Sequence, residues 1–363
     1  MRAVESRPHL VIDLATYSTL TEYVAKAFAP GRVNLIGEHT DYNEGLAMPF
    51  AVTAGITVTA TQRNGDTIEA LALDIGERDE FSLPEIGAAA GWRAFVRGAA
   101  AELLRIGYEV PAARIEITGD LPRGSGMSSS AALEIALCLA LVELANAEPP
   151  GLVELARLGQ RIEHDWVGAQ TGLLDQLASL SGAAGQAVLI DFRTLELEPL
   201  PLELGDHTLV TLFSGESHAN AASGYNLRRQ ECGEAAHRMG VESVRDAMIQ
   251  DLHMLPDVLA RRARHVISEN GRVLGAVTAL RRRDFNRLGH LLDLSHASLR
   301  DDFEVSTPAI EETVARLKAA GALGARVVGG GFGGNVLALM PPGTVAPAGA
   351  TVVRPGPGAR VLS

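Results

Sequence analysis

Lysine is almost absent: Lys26 and Lys318 are the only two in 363 residues, and neither stands near a glycine cluster. A Walker loop needs a lysine after its last glycine to reach the β- and γ-phosphates of a nucleotide. A protein kinase needs a strand lysine and an Asp-Phe-Gly motif. Both are excluded, so any phosphate bound here rests on backbone amides, hydroxyls or arginine. Cysteine is equally scarce. Cys138 falls in an apolar helical run and Cys232 in a polar one, which leaves neither a zinc spacing nor a disulfide framework. Aromatic residues are 4% of the chain and the net charge is −12, which argues against a nucleic-acid surface. The one basic run, Arg281–Arg283, reads as a solvated helix end, where cations suit the dipole. The longest apolar stretch, Ala131 to Ala147, is interrupted by Glu134 and Glu143 and reads as a buried core helix, not a membrane span. The N-terminal segment carries scattered charges without a signal-peptide core, so a cytoplasmic protein is expected.

Small residues and aliphatic side chains abound instead, with 47% apolar residues and 38 glycines, the composition of a mixed α/β protein long enough for two domains. Residues 1–25 read as a helical lead-in. Strand-like alternation marks Ala51–Gln62, Thr67–Leu73, Ala113–Thr118, Val188–Asp191 and Thr208–Phe213. Helices are expected at Trp92–Ile106, Ser130–Ala145, Gly151–Trp166, Tyr225–Arg238, Pro256–Glu269, Gly271–Arg283 and Pro308–Ala320. A Pro-rich acidic patch, Leu195–Gly205, separates two halves, which sets the expected domains at 1–200 and 201–363. From Pro341 onward a last edge strand and tail are expected.

Three segments carry chemistry. In Arg32-Val-Asn-Leu-Ile-Gly-Glu-His-Thr-Asp-Tyr-Asn43 a β-branched run delivers a glycine turn, and Glu38, His39 and Asp41 follow within four positions. Ionised carboxylates only accept hydrogen bonds, so this group suits a ligand rich in hydroxyls; a capped, solvated turn would use the same residues. In Gly119-Asp-Leu-Pro-Arg-Gly-Ser-Gly-Met-Ser-Ser-Ser-Ala131 a strand leads into a loop that opens a helix. Gly124 and Gly126 allow tight approach to an anion, and the helix terminus with Ser128, Ser129 and Ser130 attracts phosphate. The serines can cap the helix, hold phosphate oxygens or ligate magnesium. The third segment, Gly329-Gly-Gly-Phe-Gly-Gly334, matches a dinucleotide fingerprint by spacing, but strands flank it on both sides. A strand–turn–strand that packs tightly or buttresses the phosphate loop is expected there instead.

In this order the three motifs resemble the GHMP kinases, and Glu38-His-Thr-Asp-Tyr-Asn43 resembles the galactokinase branch. Gly172-Leu-Leu-Asp-Gln-Leu-Ala-Ser179, the region of Tyr225 and Ser295-His-Ala-Ser-Leu-Arg-Asp-Asp-Phe-Glu-Val-Ser306 extend the similarity to nearly the whole chain. Asn335 stands where cysteine is usual, and Met127 where leucine is. The resemblance implies an α+β two-domain fold. Its N-terminal domain is like domain 2 of ribosomal protein S5, its C-terminal domain is ferredoxin-like, and the active site lies in the cleft between them. It implies ATP-dependent phosphorylation of D-galactose at the anomeric hydroxyl, the first committed step of galactose use. Alternatives are a kinase for N-acetylgalactosamine or L-arabinose, or a non-catalytic galactose sensor. The implied catalytic pair is Asp175 with Arg32. Glu38, His39, Thr40, Asp41, Gly172, Asp175 and Tyr225 would bind sugar. The nucleotide would lie on Gly124, Ser125, Gly126, Met127, Ser128, Ser129 and Ser130, with Mg2+ on Ser130 and Glu163. The expected partners are these small molecules, with no nucleic acid or membrane, and the expected state is a monomer.

Overall fold

The computed structural model describes residues 23–121, 126–216 and 221–362. Most of the expected helical lead-in therefore lies outside the described residues, and its last residues, Val24 and Ala25, already belong to a strand. The largest sheet runs in the order β13 (Arg360–Leu362), β1 (Val24–Asn34), β3 (Pro49–Gln62), β6 (Ala113–Gly119), β4 (Thr67–Ala72), β5 (Glu77–Ser82). A three-stranded sheet joins β2 (Leu46–Ala47), β7 (Gln186–Asp191) and β8 (Glu196–Pro201). A four-stranded sheet follows the order β10 (Gly324–Val327), β11 (Asn335–Met340), β9 (Thr208–Phe213), β12 (Thr351–Val352). The chain's end is thus two edge strands of different sheets, and β13 returns to pair with β1.

The helices are α1 (Trp92–Arg105), α2 (Ser129–Leu144), α3 (Leu152–Arg161), α4 (Leu174–Ser181), α5 (Ala221–Met239), α6 (Asp257–Arg281), α7 (Phe285–Asp301) and α8 (Pro308–Ala319). Helix α2 packs on β1 and β3 while α1, α3 and α4 cover it elsewhere. That enclosure explains its run of Ala and Leu without a polar face, the pattern of a helix buried all round. In β9 and β11 successive apolar residues serve two cores. Leu209, Leu337 and Leu339 face the core of the large sheet, and Val210, Leu212, Val336 and Ala338 face a second core shared with α5, α6 and α8. A sheet covered on both faces needs this continuous apolar run.

Two expectations are corrected. The helices drawn at Pro256–Glu269 and Gly271–Arg283 are one helix, α6. Gly271 stands at the expected join of the two, yet an interior glycine costs only about 1 kcal/mol, and the buried stripe from Leu259 to Leu280 outweighs it. The patch at Leu195–Gly205 is not a bare linker: its Glu196–Pro201 pairs with β7, and Leu200 and Leu202 enter the main core. Arg281 and Arg283 do lie at a solvated helix end, paired with Glu198 and Glu203. Cys138 and Cys232 are buried and free. Among the described residues, no helix is long and apolar enough to cross a membrane.

Candidate active site

Strand β1 ends at the site because Gly37 turns the chain with φ at 101°; a Cβ there would sit 2.5 Å from the Leu46 carbonyl. Arg32, on the last buried stretch of β1, crosses to the serine loop and to α4. Its Nη2 lies 2.6 Å from Asp175 Oδ1, its Nη1 donates to the Gly126 carbonyl at 2.6 Å, and its backbone N–H donates to Met127 O at 3.1 Å. Asp175 occupies the first turn of α4, where a negative charge suits the helix dipole. The Ser128 hydroxyl donates to its other oxygen. Ser128 precedes α2 in a left-handed conformation (φ 58°) and makes no side-chain cap, so the expected capping role does not apply to it. Strained backbone of this kind gathers at functional sites.

Glu38, His39, Asp41, Gly172, Asp175, Tyr225, Ser128 and Ser130 share one cavity of 270 Å³, with Arg32 at its base. Glu38 is buried, with Oε1 accepting the Gly329 N–H at 2.8 Å and lying 2.8 Å from Arg326 Nη2. The glycine bend between β10 and β11 therefore buttresses the loop that carries Glu38 directly. His39 sits against Tyr225 and Phe303, with Nδ1 2.8 Å from the Tyr42 hydroxyl and Nε2 3.3 Å from Gly330 O. Burial, reinforced by nearby His265, lowers its pKa to about 3, so the ring is neutral. Donation from Nε2 to the carbonyl then leaves Nδ1 to accept from tyrosine. Burial raises the Asp41 carboxyl to about 7, and the charge of Asp175 adds to it. The Gly172 backbone is hydrogen-bonded to the Tyr225 hydroxyl. Just before it, the Thr171 carbonyl is pinned by Gln160, His164 and Arg229.

Thr40 departs from its expected role. It does not line the cavity; its hydroxyl lies between the carbonyls of Gly37 and Leu46, at 2.9 and 2.8 Å, and it is fully buried. Met127 likewise packs its side chain into the core and offers the site only backbone. Gly124 and Ser125 lie outside the described residues. Ser129 turns away from the first cavity into a second one of 440 Å³, lined by Ile56, Trp92, Phe95, Leu121 and Leu133. Ser130 lines both cavities. Sequence reasoning missed this second cavity; Trp92 and Phe95, a helical turn apart in a chain poor in aromatics, were the available signal.

Glu163 stands in a wide helical turn, Ile162–Val167, that extends α3. It is buried, accepts from Thr171 and from Gln176 Nε2 (3.1 Å), and is hydrogen-bonded by Ser130. Glu134, fully buried one turn into α2, takes the same Gln176 amide at 2.8 Å. Burial pushes both carboxyls above their ordinary range, and for Glu134 the charge of Glu163 is the next cause. No arginine or lysine pairs with either among the described residues. Hard oxygen donors without a counter-charge are what a small divalent cation requires. Among the described residues no group of three or more His, Cys, Asp or Glu stands ready as a cage. Magnesium at phosphoryl-transfer sites takes one or two carboxylates and completes its shell from phosphates and water, so the donor set fits.

Comparison with known proteins gives three family matches: "GHMP kinases N terminal domain" over residues 94–183, "Galactokinase galactose-binding signature" over 16–62 and "GHMP kinases C terminal" over 276–355. The chain is 44% identical over 320 residues to a galactokinase of Mycobacterium tuberculosis, covering 86% of this chain and 88% of that one. It is 41% identical over 330 residues to a galactokinase of Actinobacillus pleuropneumoniae, covering 88% and 85%. The crystal structure of Lactococcus lactis galactokinase complexed with galactose superposes with a TM-score of 0.87 at 34% identity, over 94% of this chain and 96% of that one. Methanococcus jannaschii mevalonate kinase shares the fold, with a TM-score of 0.63 at 17% identity over 93% and 100%.

Proposed function

Since this chain belongs to the galactokinase family of the GHMP kinases, we propose that it transfers the terminal phosphoryl group of ATP to the anomeric hydroxyl of D-galactose, giving α-D-galactose 1-phosphate and ADP. The observation that carries the reading is the position of Ser130 on the rim of both cavities. Sugar occupies the polar cavity and the nucleotide base the apolar one, with the triphosphate along Ser128–Ser130 at the N-terminus of α2. Phosphoryl transfer asks mainly for such alignment and for charge neutralisation.

Asp175 orients the anomeric hydroxyl and accepts its hydrogen bond, and Arg32 beside it fixes the carboxylate and offsets charge on the moving group. Glu38, Asp41, His39 and the Gly172 backbone with Tyr225 recognise the remaining hydroxyls. A site of fixed acceptors rejects an epimer because its own buried groups lose their partners. Ser130 and Glu163 would hold Mg2+, which when bound neutralises phosphate charge. The division of the chain near residue 200 belongs to the same reading, with one GHMP match on either side of it. So do a monomeric state, which sedimentation tests, and a cytoplasmic location.

A coupled assay of ADP release with a set of sugars tests the proposal. Galactose should turn over well above glucose, and equal or better turnover of L-arabinose or N-acetylgalactosamine would overturn the choice of substrate. Ser130→Ala should raise the magnesium concentration needed for half-maximal rate. Superimposable titrations of the two proteins would remove the metal assignment.

A further inference from the structure

We propose that Arg326 is a positioning residue that sets sugar specificity by fixing Glu38, a role that rests on reading Glu38 as a sugar ligand. Arg326 belongs to β10, in the second half of the chain, and is among the largest side chains buried completely. Its Nη1 donates to the carbonyls of Asn34 and Leu35 at 2.8 and 2.9 Å, where β1 gives way to the glycine turn. Its Nη2 lies 2.8 Å from Glu38 Oε1, the oxygen that also accepts the Gly329 N–H. One hairpin therefore supplies both groups that grip this carboxylate, and the same guanidinium ties down the strand end leading to it.

A guanidinium so buried gains little net stability from its ion pair, because desolvation offsets the attraction. What the planar fork supplies is geometry: it spans two carbonyls and a carboxylate at once, which a lysine ammonium on a flexible stem does not reproduce. With Oε1 taking the Gly329 N–H and facing the buried Arg326 charge at 2.8 Å, the Glu38 side chain is not free to swing, and it meets the cavity as a fixed acceptor. A hydroxyl presented at another angle then finds no partner, and the discrimination follows from rigidity.

The test measures KM and kcat for galactose and its 2-, 3-, 4- and 6-deoxy analogues, with melting temperatures alongside. The proteins are wild type, Glu38→Gln, Arg326→Lys, Arg326→Met and the double variant Arg326→Met with Glu38→Gln. Should Arg326→Met alone fail to fold, the double variant, which buries neither charge of this pair, and Arg326→Lys keep the comparison open. The expected result is a sugar KM raised roughly 10- to 100-fold in the Arg326 variants, the scale of one charged hydrogen bond, with the KM for ATP unchanged. Selectivity should be lost at the same hydroxyl as in Glu38→Gln, and the two changes should not add in the double variant. A folded Arg326→Lys with wild-type selectivity would overturn the proposal. So would a fall in kcat uniform across all sugars, or selectivity lost at a different hydroxyl. If Glu38→Gln alone leaves selectivity intact, the reading of Glu38 fails first and takes this role with it.

Discussion

The two walls of the polar cavity differ in how completely the protein has finished them. On the sugar side three ligating side chains are already held: Glu38 by the Gly329 N–H and the facing Arg326 charge, His39 by Tyr42 and Gly330, Tyr225 by the Gly172 backbone. On the phosphate side Glu134 and Glu163 share one amide and have no cation partner among the described residues. Glu134 Oε2 and Gln176 Oε1 lack any hydrogen-bond partner there. An anionic ligand would be repelled from such a wall unless it brought its own counter-charge. The contrast teaches that, on the proposed reading, the sugar meets a preorganised surface while the nucleotide would complete its own on arrival.

Asp175 sits on the seam between the walls, so its removal should have the largest effect. Asp175→Ala is expected to lower turnover by ~10²-fold or more, the usual scale for a group that orients or moves a proton. Nucleotide affinity by calorimetry should stay close to wild type. Unchanged turnover would mean that the seam does no chemistry. Gly172→Ala attacks the rigidity of the sugar wall, because the added Cβ would fall 1.8 Å from Asp41 Oδ2. The sugar KM should rise about tenfold, in line with the ~1–3 kcal/mol cost of overpacking, and the KM for ATP should not move. An unchanged sugar KM would show that this wall yields, and the contrast would blur.

The smallest expected effect concerns Asp41. Its folded-state value of about 7 lies above the ordinary 3.8, so the folded chain binds this proton more tightly than the unfolded one. Its contribution to stability is therefore complete below about pH 4 and is lost as the pH rises through about 7. Asp41→Asn should flatten the decline in melting temperature across that window. Parallel melting curves for the two proteins would remove Asp41 from the account of the wall's electrostatics.

Much of this arrangement was legible from residues alone, and the exceptions share a cause. The glycine bend was read correctly as a strand–turn–strand because Ala325–Val328 and Asn335–Leu339 announce themselves by local composition. Asp175 and Arg32 were paired by the resemblance that Gly172–Ser179 carries, and the structure places them 2.6 Å apart. By contrast, the grip of Arg326 on Glu38 joins distant segments through a sheet, and no local pattern encodes it. The apolar cavity behind Ser129 needs β3, β6 and α1 to meet before it exists, so Trp92 passed as an ordinary helix start. Thr40 was assigned to the ligand by its place in the motif, whereas the tight turn around Gly37 claims its hydroxyl. Helix α4 is a short segment of eight residues and carries too few turns to declare a period.

Strand β13 pairs Leu362, Val361 and Arg360 with Lys26, Ala27 and Phe28 of β1, and Gly358 and Ala359 hydrogen-bond back to Gly182 and Ser179 just before it. During synthesis, then, the strand that carries Arg32 waits with one flank unpaired until the distant segment that forms β13 has been made. An open flank of that kind is a template for pairing with other molecules. Growing chains should accordingly lean on chaperones until β13 emerges, and deleting Arg360–Leu362 should harm solubility far more than their number suggests.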